Sequence, residues 1–327
     1  MKPLTFAILR ILDDGGYHSG TALGQALNLS RASISNALRD LDRYGLIIHR
    51  IRGRGYRWLN PVQWLSIDHV QSHLSESADT FQIEILNTVE STNASLLQRA
   101  VSHDFSGGGR MQVLVAELQT NGRGRRGRSW LSGLGDSLTF SILWSSQCSV
   151  HALSGLSLAV GVAIIRALAS IGVHGVALKW PNDVLFKSHK LAGVLIELHG
   201  DMLSPSTVII GIGINLKLSG NIKSQIDQPV TDIASIANQM PDRNLLLAVL
   251  LSELTRVLDI FDKHGFEPFR DEWIRYHAYQ NMPVSVYLPN GSTEHGIANG
   301  VAADGALQLV THAGVLRLRS GEMSLRG

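Results

Sequence analysis

The sequence predicts an α+β fold in three parts: a small basic helical module, a central mixed or antiparallel sheet with helices on one side, and a small C-terminal β-barrel. Three observations predict it. Apolar residues recur at helical spacing in the first 45 residues and again over 156–171 and 245–263. Between these lie β-branched runs at Gln112–Leu118, Ser137–Trp144, Val194–Leu198 and Thr207–Ile214, mostly at hairpin spacing. Beyond Asn281 only short runs remain, broken at Asn290-Gly291 and Asp304-Gly305, which are tight-turn signals. The expected bounds are 1–65, 66–278 and 279–327.

Composition narrows the class. The chain has 327 residues, 44% hydrophobic and 17% charged, which suits an ordinary globular protein. The single Cys148 excludes a disulfide framework and a cysteine zinc site. The 13 histidines show no metal-ligand spacing, so no intrinsic metal is expected. Met1–Leu12 lacks a cleavage signal and no apolar run is long enough to span a bilayer, so no membrane role and a cytoplasmic location are expected. The net charge of +2 hides an asymmetry. Residues 1–60 hold nine Lys/Arg and four Asp/Glu, a balance of +5, so the remainder carries −3.

In the first part, Leu4–Leu12 and Gly20–Leu27 read as short helices. Ser30 is an N-cap for a third, Arg31 to about Tyr44, which buries Ile34, Leu38 and Leu41. Its other face carries Arg31, Ser33, Ser35, Asn36 and Arg39. Leu46–Ile51 and Tyr56–Leu59 form a hairpin around the basic turn Arg52-Gly53-Arg54-Gly55. This is the pattern of a winged helix-turn-helix. Ser30 and the polar face of the third helix would meet a major groove, and Arg52 and Arg54 the neighbouring phosphates. A three-helix protein-interaction module is the competing reading. One such module makes few phosphate contacts, which favours a dimer on DNA.

Residues 61–80 read as a linker with some local structure. Strand Phe81–Leu86 then leads to Ser91-Thr92-Asn93 at the start of helix Ala94–Val101. One cap needs one such residue; three suit either redundant capping or the polar wall of a small-ligand pocket. Ser106–Gly109 reads as a flexible turn. Strand Gln112–Leu118 runs through Gln119 into Gly122-Arg123-Gly124-Arg125-Arg126-Gly127-Arg128-Ser129-Trp130. Glycine lets a ligand approach main-chain N–H groups, and arginine offers permanently charged forked donors, so this loop handles anions. A solvated basic loop is the plain alternative. Further on stand Lys179-Trp180-Pro181-Asn182-Asp183, Lys190-Leu191-Ala192-Gly193 and Gly211-Ile212-Gly213-Ile214-Asn215. Leu218–Thr231 has no clear period and reads as a mobile loop or lid; Leu245–Lys263 and Phe266–Ala278 read as helices.

These segments, with Gly321-Glu322-Met323-Ser324-Leu325-Arg326, occur in the order found in the biotin protein ligases, and the whole chain resembles the bifunctional kind that also represses biotin synthesis genes. The resemblance implies a class II synthetase-like biotin/lipoate ligase fold with an SH3-like C-terminal barrel. It implies a two-step reaction. Biotin and Mg2+-bound ATP give biotinyl-5′-AMP and pyrophosphate, and a lysine of biotin carboxyl carrier protein then attacks the adenylate. Carried over by motif, Ser91, Thr92, Asn93, Gln119, Arg123, Gly124, Arg125 and Lys190 hold biotin. Arg123 and Lys190 are catalytic, facing the carboxylate and α-phosphate. Arg125, Arg126, Arg128, Lys179, Asn182, Asp183 and Asn215 serve ATP and its phosphates. The adenylate would also act as corepressor, promoting a homodimer on operator DNA. In such repressors the second loop carries a Trp stacked on adenine. No Trp lies between Leu218 and Ile233 here, and Pro229 is near the expected place. How adenine is held stays open, and Trp130 is not assigned that role. The alternatives are a monofunctional ligase with a non-repressing winged helix, a non-catalytic small-molecule-sensing transcription factor, and a lipoate ligase.

Overall fold

The computed structural model describes residues 1–102, 110–146, 153–199 and 206–325. The turn expected at 106–109, Cys148 and Arg326 lie outside the described residues. Helices α1 (Pro3–Ile11), α2 (Gly20–Leu27) and α3 (Arg31–Ala37) precede the hairpin of β1 (Ile48–Ile51) and β2 (Gly55–Trp58). Ser19 and Ser30 cap α2 and α3 by accepting from the Ala22 and Ser33 amides. Helix α3 is shorter than its periodicity predicts. Asp40 takes a left-handed φ of 57° and interrupts it, and a separate 3-10 turn, Asp42–Tyr44, ends at Gly45. Ile34, Leu38 and Leu41 are buried all the same, with Phe6, Leu9, Leu23 and Trp58.

The stretch expected to be a linker is structured. Helix α4 (Ile67–Leu74) buries Val70 and Leu74 in the central core. Trp64 packs instead on the first unit, 6.4 Å from Phe6 and 6.0 Å from Trp58, with Arg10 over its ring at 4.3 Å. A buried ion pair secures this junction. Arg243 Nη1 lies 2.9 Å from Glu117 Oε2, and Glu117 Oε1 accepts from the Leu65 amide at 2.7 Å.

The central unit continues with β3 (Phe81–Leu86), α5 (Thr92–Val101), β4 (Met111–Ala116), the short pair β5 (Gly122–Arg123) and β6 (Ser129–Trp130), then β7 (Ser137–Ser146) and α6 (Leu156–Ser170). After these come β8 (Val176–Lys179), β9 (Asp183–Phe186), β10 (His189–His199), β11 (Ser206–Asn215), α7 (Gly220–Lys223), α8 (Arg243–His264) and α9 (Arg270–Arg275). The main sheet has the order β3-β4-β7-β11-β10-β9-β8 and is antiparallel except between β3 and β4. Strand β9 was not expected. Its hairpin turns on Lys187 and Ser188, both left-handed (φ 47° and 66°), without the Gly or Asn that usually announces such a turn. The loop after Leu218 holds one helical turn, α7, capped by Ser219. The helix expected over 266–278 is a 3-10 turn, Glu267–Phe269, followed by the short α9.

Helices α4, α6 and α8 share one face of the sheet, as expected, and bury Val113, Phe140, Ile142 and Ile210. Helix α5 takes the opposite face, packing Leu96 and Ala100 on Leu114, Leu143 and Ile209. Three cross-strand rows look toward α5: Gln112–Leu143–Ile209–Glu197, then Leu114–Ser141–Gly211–Leu195, then Ala116–Thr139–Gly213–Gly193. The second and third rows put hydroxyls and glycines where apolar side chains would otherwise stand. They cut a trough beyond the N-terminus of α5.

The chain ends in a five-stranded antiparallel sheet: β12 (Pro283–Tyr287), β13 (Thr293–Val301), β14 (Leu307–Thr311), β15 (Gly314–Leu318) and β16 (Glu322–Leu325), ordered β15-β14-β13-β12-β16. This suits the small SH3-like barrel expected there. Val284, Val286, Leu307, Leu309 and Met323 join the central core, and the Trp180 indole N–H donates to Gly305 O at 3.2 Å.

Candidate active site

The trough is walled by the start of α5. The Ser91 hydroxyl accepts from the Ala94 amide at 3.4 Å, so capping accounts for Ser91. Thr92 and Asn93 do something else. Asn93 Nδ2 donates to Leu195 O (3.2 Å) and Glu197 Oε2 (2.9 Å). Its Oδ1 and Thr92 Oγ1 lie 2.5 and 2.7 Å from the Ser141 hydroxyl. Gln119 Oε1 takes the Thr92 amide at 2.8 Å and its hydroxyl at 3.2 Å. Both side-chain amides are therefore oriented by their neighbours. Gly211 is required under Asn93, because a Cβ there would lie 2.0 Å from Asn93 Oδ1.

The arginine loop closes over the other side. Gly122 and Arg123 pair with Trp130 and Ser129. Trp130 lies against Gly213, where a Cβ would meet its ring at 2.6 Å. Its indole N–H is buried and has no partner among the described residues. Arg126 turns the loop at a left-handed φ of 55°. Arg128 grips Glu322 with both nitrogens (2.6 and 2.8 Å), and Arg126 Nη2 donates to Tyr287 O at 3.4 Å. Arg125 Nη1 donates to Asn182 Oδ1 at 3.3 Å, and Lys190 Nζ lies 2.8 Å from Asp183 Oδ1. Burial pushes Arg125 and Lys179 below their ordinary values, while Asp183 and Glu322 oppose the shift.

One pocket is lined by all the expected ligand residues except Asn215. Asn215 lines an adjoining cavity with Trp130, Lys190, Gln228 and Val230, and its Nδ2 is spent on the Lys190 and Thr231 carbonyls. One expected pairing is absent. Arg123 Nη2 donates to Glu197 Oε1 at 2.7 Å. Glu197 lies four residues along β10 from Gly193, whose added Cβ would come 3.3 Å from Lys190 Nζ. At roughly 3.3 Å per residue, the position on β10 that holds Arg123 lies about 13 Å along the strand from the one beside Lys190. Arg125 occupies the Lys190 end instead. Ser141 and Glu197 were not picked out from sequence. The available signal was a polar residue on an otherwise apolar strand beside a Gly-x-Gly strand.

The winged helix contributes a second face. Ser30, Arg31, Asn36 and Arg39 are exposed on it, Ser33 and Ser35 are half-buried, and Arg52 and Arg54 are exposed on the wing. Arg39 Nη2 donates to Asn36 Oδ1 at 2.8 Å, and Ser30 and Ser33 share a hydroxyl contact at 2.9 Å. This unit also touches the pocket's loops. Leu118 and Leu134, at either end of the arginine loop, join its core, and Leu134 N donates to Tyr44 O at 3.2 Å.

Residues 86–215 match the biotin/lipoate A/B protein ligase family, and residues 5–57 match a helix-turn-helix domain. The bifunctional ligase/repressor BirA of Salmonella typhimurium is 34% identical over 325 residues, spanning 99% of this chain and 97% of that one. The chain belongs to the bifunctional biotin ligase/repressor family. The biotin–[acetyl-CoA-carboxylase] ligase of Mycobacterium tuberculosis is 33% identical over 70% of this ligase and 83% of its own length. A solved biotin protein ligase from Aquifex aeolicus, in complex with biotin and ATP, aligns with a TM-score of 0.63 at 31% identity, covering 75% of this ligase and 98% of that chain. No helix among the described residues is long and apolar enough to cross a membrane.

Proposed function

We propose that the trough holds biotin with its ureido end toward Ser91, Thr92, Asn93, Gln119 and Arg123 and its carboxylate toward Lys190 and Arg125. The observation that carries this reading is the polarity of the one pocket. Hydroxyl and amide groups with the Arg123–Glu197 ion pair stand at one end, and Lys190, Arg125 and Lys179 gather around Asp183 at the other. The biotin carboxylate and the ATP α-phosphate repel each other, so joining them needs fixed cations at the point of contact. Lys190, with Arg125, supplies them as carboxylate oxygen attacks phosphorus and pyrophosphate leaves. Arg126 and Arg128 take the pyrophosphate by exchanging their contacts with Tyr287 and Glu322. Where Mg2+ accompanies ATP as part of the substrate, Asp183 would offer it one carboxylate, and the ion would offset charge on the phosphates. The adjoining cavity suits adenine. Trp130 offers an aromatic face and Val230 an apolar one, so the missing loop Trp has a substitute across the cavity.

In the second step a carrier-protein lysine attacks the acyl carbon and AMP leaves. Asp183 and Asn182, at the carboxylate end, orient that amine. The winged helix binds operator DNA, and biotinyl-5′-AMP favours a homodimer there by binding it more tightly than the monomer. Adding biotin and ATP then tightens operator binding in a gel shift; unchanged affinity contradicts the corepressor role. For the chemistry, a carrier-lysine biotinylation assay compares wild type with Lys190→Ala. Loss of one transition-state cation lowers turnover by about 100-fold or more. Retained activity removes Lys190 from the mechanism.

A further inference from the structure

We infer that Glu197 is a positioning residue for biotin, acting through Arg123. Its carboxylate joins the arginine loop to the pocket wall. Oε1 takes Arg123 Nη2 at 2.7 Å and Oε2 takes Asn93 Nδ2 at 2.9 Å. Glu197 is half-buried on strand β10, Asn93 is fully buried, and Arg123 is the exposed member of the three. The neighbouring row supplies the rest of the hold, since Asn93 also donates to Leu195 O and receives Ser141.

Two consequences follow from the chemistry. A carboxylate only accepts, so Glu197 keeps the Asn93 NH2 turned toward β10 and its carbonyl toward Ser141. An arginine side chain has large rotamer freedom, and tethering it before the ligand arrives removes part of the ordering cost of closing the loop. Glu197 thus sets where Gly122–Arg123 comes to rest over the ureido end. It stands about 13 Å from the reacting end, counted along the strand, so it does not touch the carboxylate or phosphate chemistry.

The inference rests on the biotin placement proposed above. Its test is a double-mutant cycle read by pyrophosphate release with the full chain. Glu197→Gln is isosteric, keeps an acceptor for Asn93 and removes the charge that holds Arg123. It raises the KM for biotin by about five- to tenfold, the scale of one net intramolecular hydrogen bond, and leaves kcat at saturating biotin and the KM for ATP unchanged. In an Arg123→Leu background the same substitution has no further effect on the KM for biotin. An unchanged KM in Glu197→Gln overturns the inference, as does an equal increase in both backgrounds. Thr92→Val is the control on biotin placement. If it raises the KM for biotin while Glu197→Gln does not, the positioning role alone fails; if neither does, the placement fails and the inference with it.

Discussion

Gly211→Ala probes the floor of the pocket. Gly211 lies in β11 between Ser141 and Leu195, and its φ is outside the left-handed region, so alanine fits the backbone. The difficulty is steric. The new methyl carbon would stand 2.0 Å from Asn93 Oδ1, 2.7 Å from Cγ and 2.9 Å from Nδ2. Asn93 is 3% exposed and bonded to Leu195, Glu197 and Ser141, so it cannot tilt without breaking those contacts. Overpacking of this kind costs about 1–3 kcal/mol, and each buried partner left unsatisfied adds about 1 kcal/mol. If Asn93 yields and biotin binding must return it to the wall against a local cost of about 3 kcal/mol, biotin affinity falls by roughly a hundredfold. Pyrophosphate release at saturating ATP gives the KM for biotin. It rises by about that factor, with the KM for ATP little changed. Ile210→Val, one residue away but facing α6 and α8, loses about 1 kcal/mol of stability without touching the KM. An unchanged KM for biotin in Gly211→Ala would mean that Asn93 is not part of the biotin wall.

Glu117→Gln strands Arg243 in the junction between α8 and the segment after Trp64, and lowers stability by about 3–5 kcal/mol in urea denaturation; an unmoved midpoint refutes the buried pair's role. His277 is buried and held to about 4, below its ordinary 6.5, because burial penalises its charged form. As pH falls from 6.5 toward 4 the unfolded chain binds a proton that the folded chain refuses. Stability is therefore lost over that window, by about 3 kcal/mol from this group, and is flat above it. His277→Gln flattens the acid limb by that amount in a denaturation series; an identical limb in both proteins contradicts the burial argument.

Much of this arrangement is legible in sequence because function compresses residues into short runs. The arginine loop, Lys179–Asp183 and Lys190–Gly193 each announce a site, and all face one pocket. The winged helix is legible from its caps and from the spacing of Ile34, Leu38 and Leu41. What escapes sequence reading depends on contacts between distant strands. Ser141 and Glu197 gain their roles from registers that set them around Gly211 and Asn93, and a strand pattern does not reveal its register. The exchange of Arg123 for Arg125 beside Lys190 has the same origin. Alternating loop residues point to opposite ends of the pocket, and only the pairing of Gly122–Arg123 with Ser129–Trp130 says which. Strand β9 and the break in α3 escaped because Lys187, Ser188 and Asp40 adopt left-handed backbone without glycine.

In the proposed placement biotin lies along β10, ureido end at Asn93 and carboxylate end at Lys190. A crystal structure of the chain with biotin bound tests it most directly. Ureido atoms are expected within hydrogen-bond reach of the Thr92–Gln119 wall and the carboxylate beside Lys190 and Arg125. A carboxylate found instead against Arg123 and Glu197, with the ureido ring at Lys190, would contradict it.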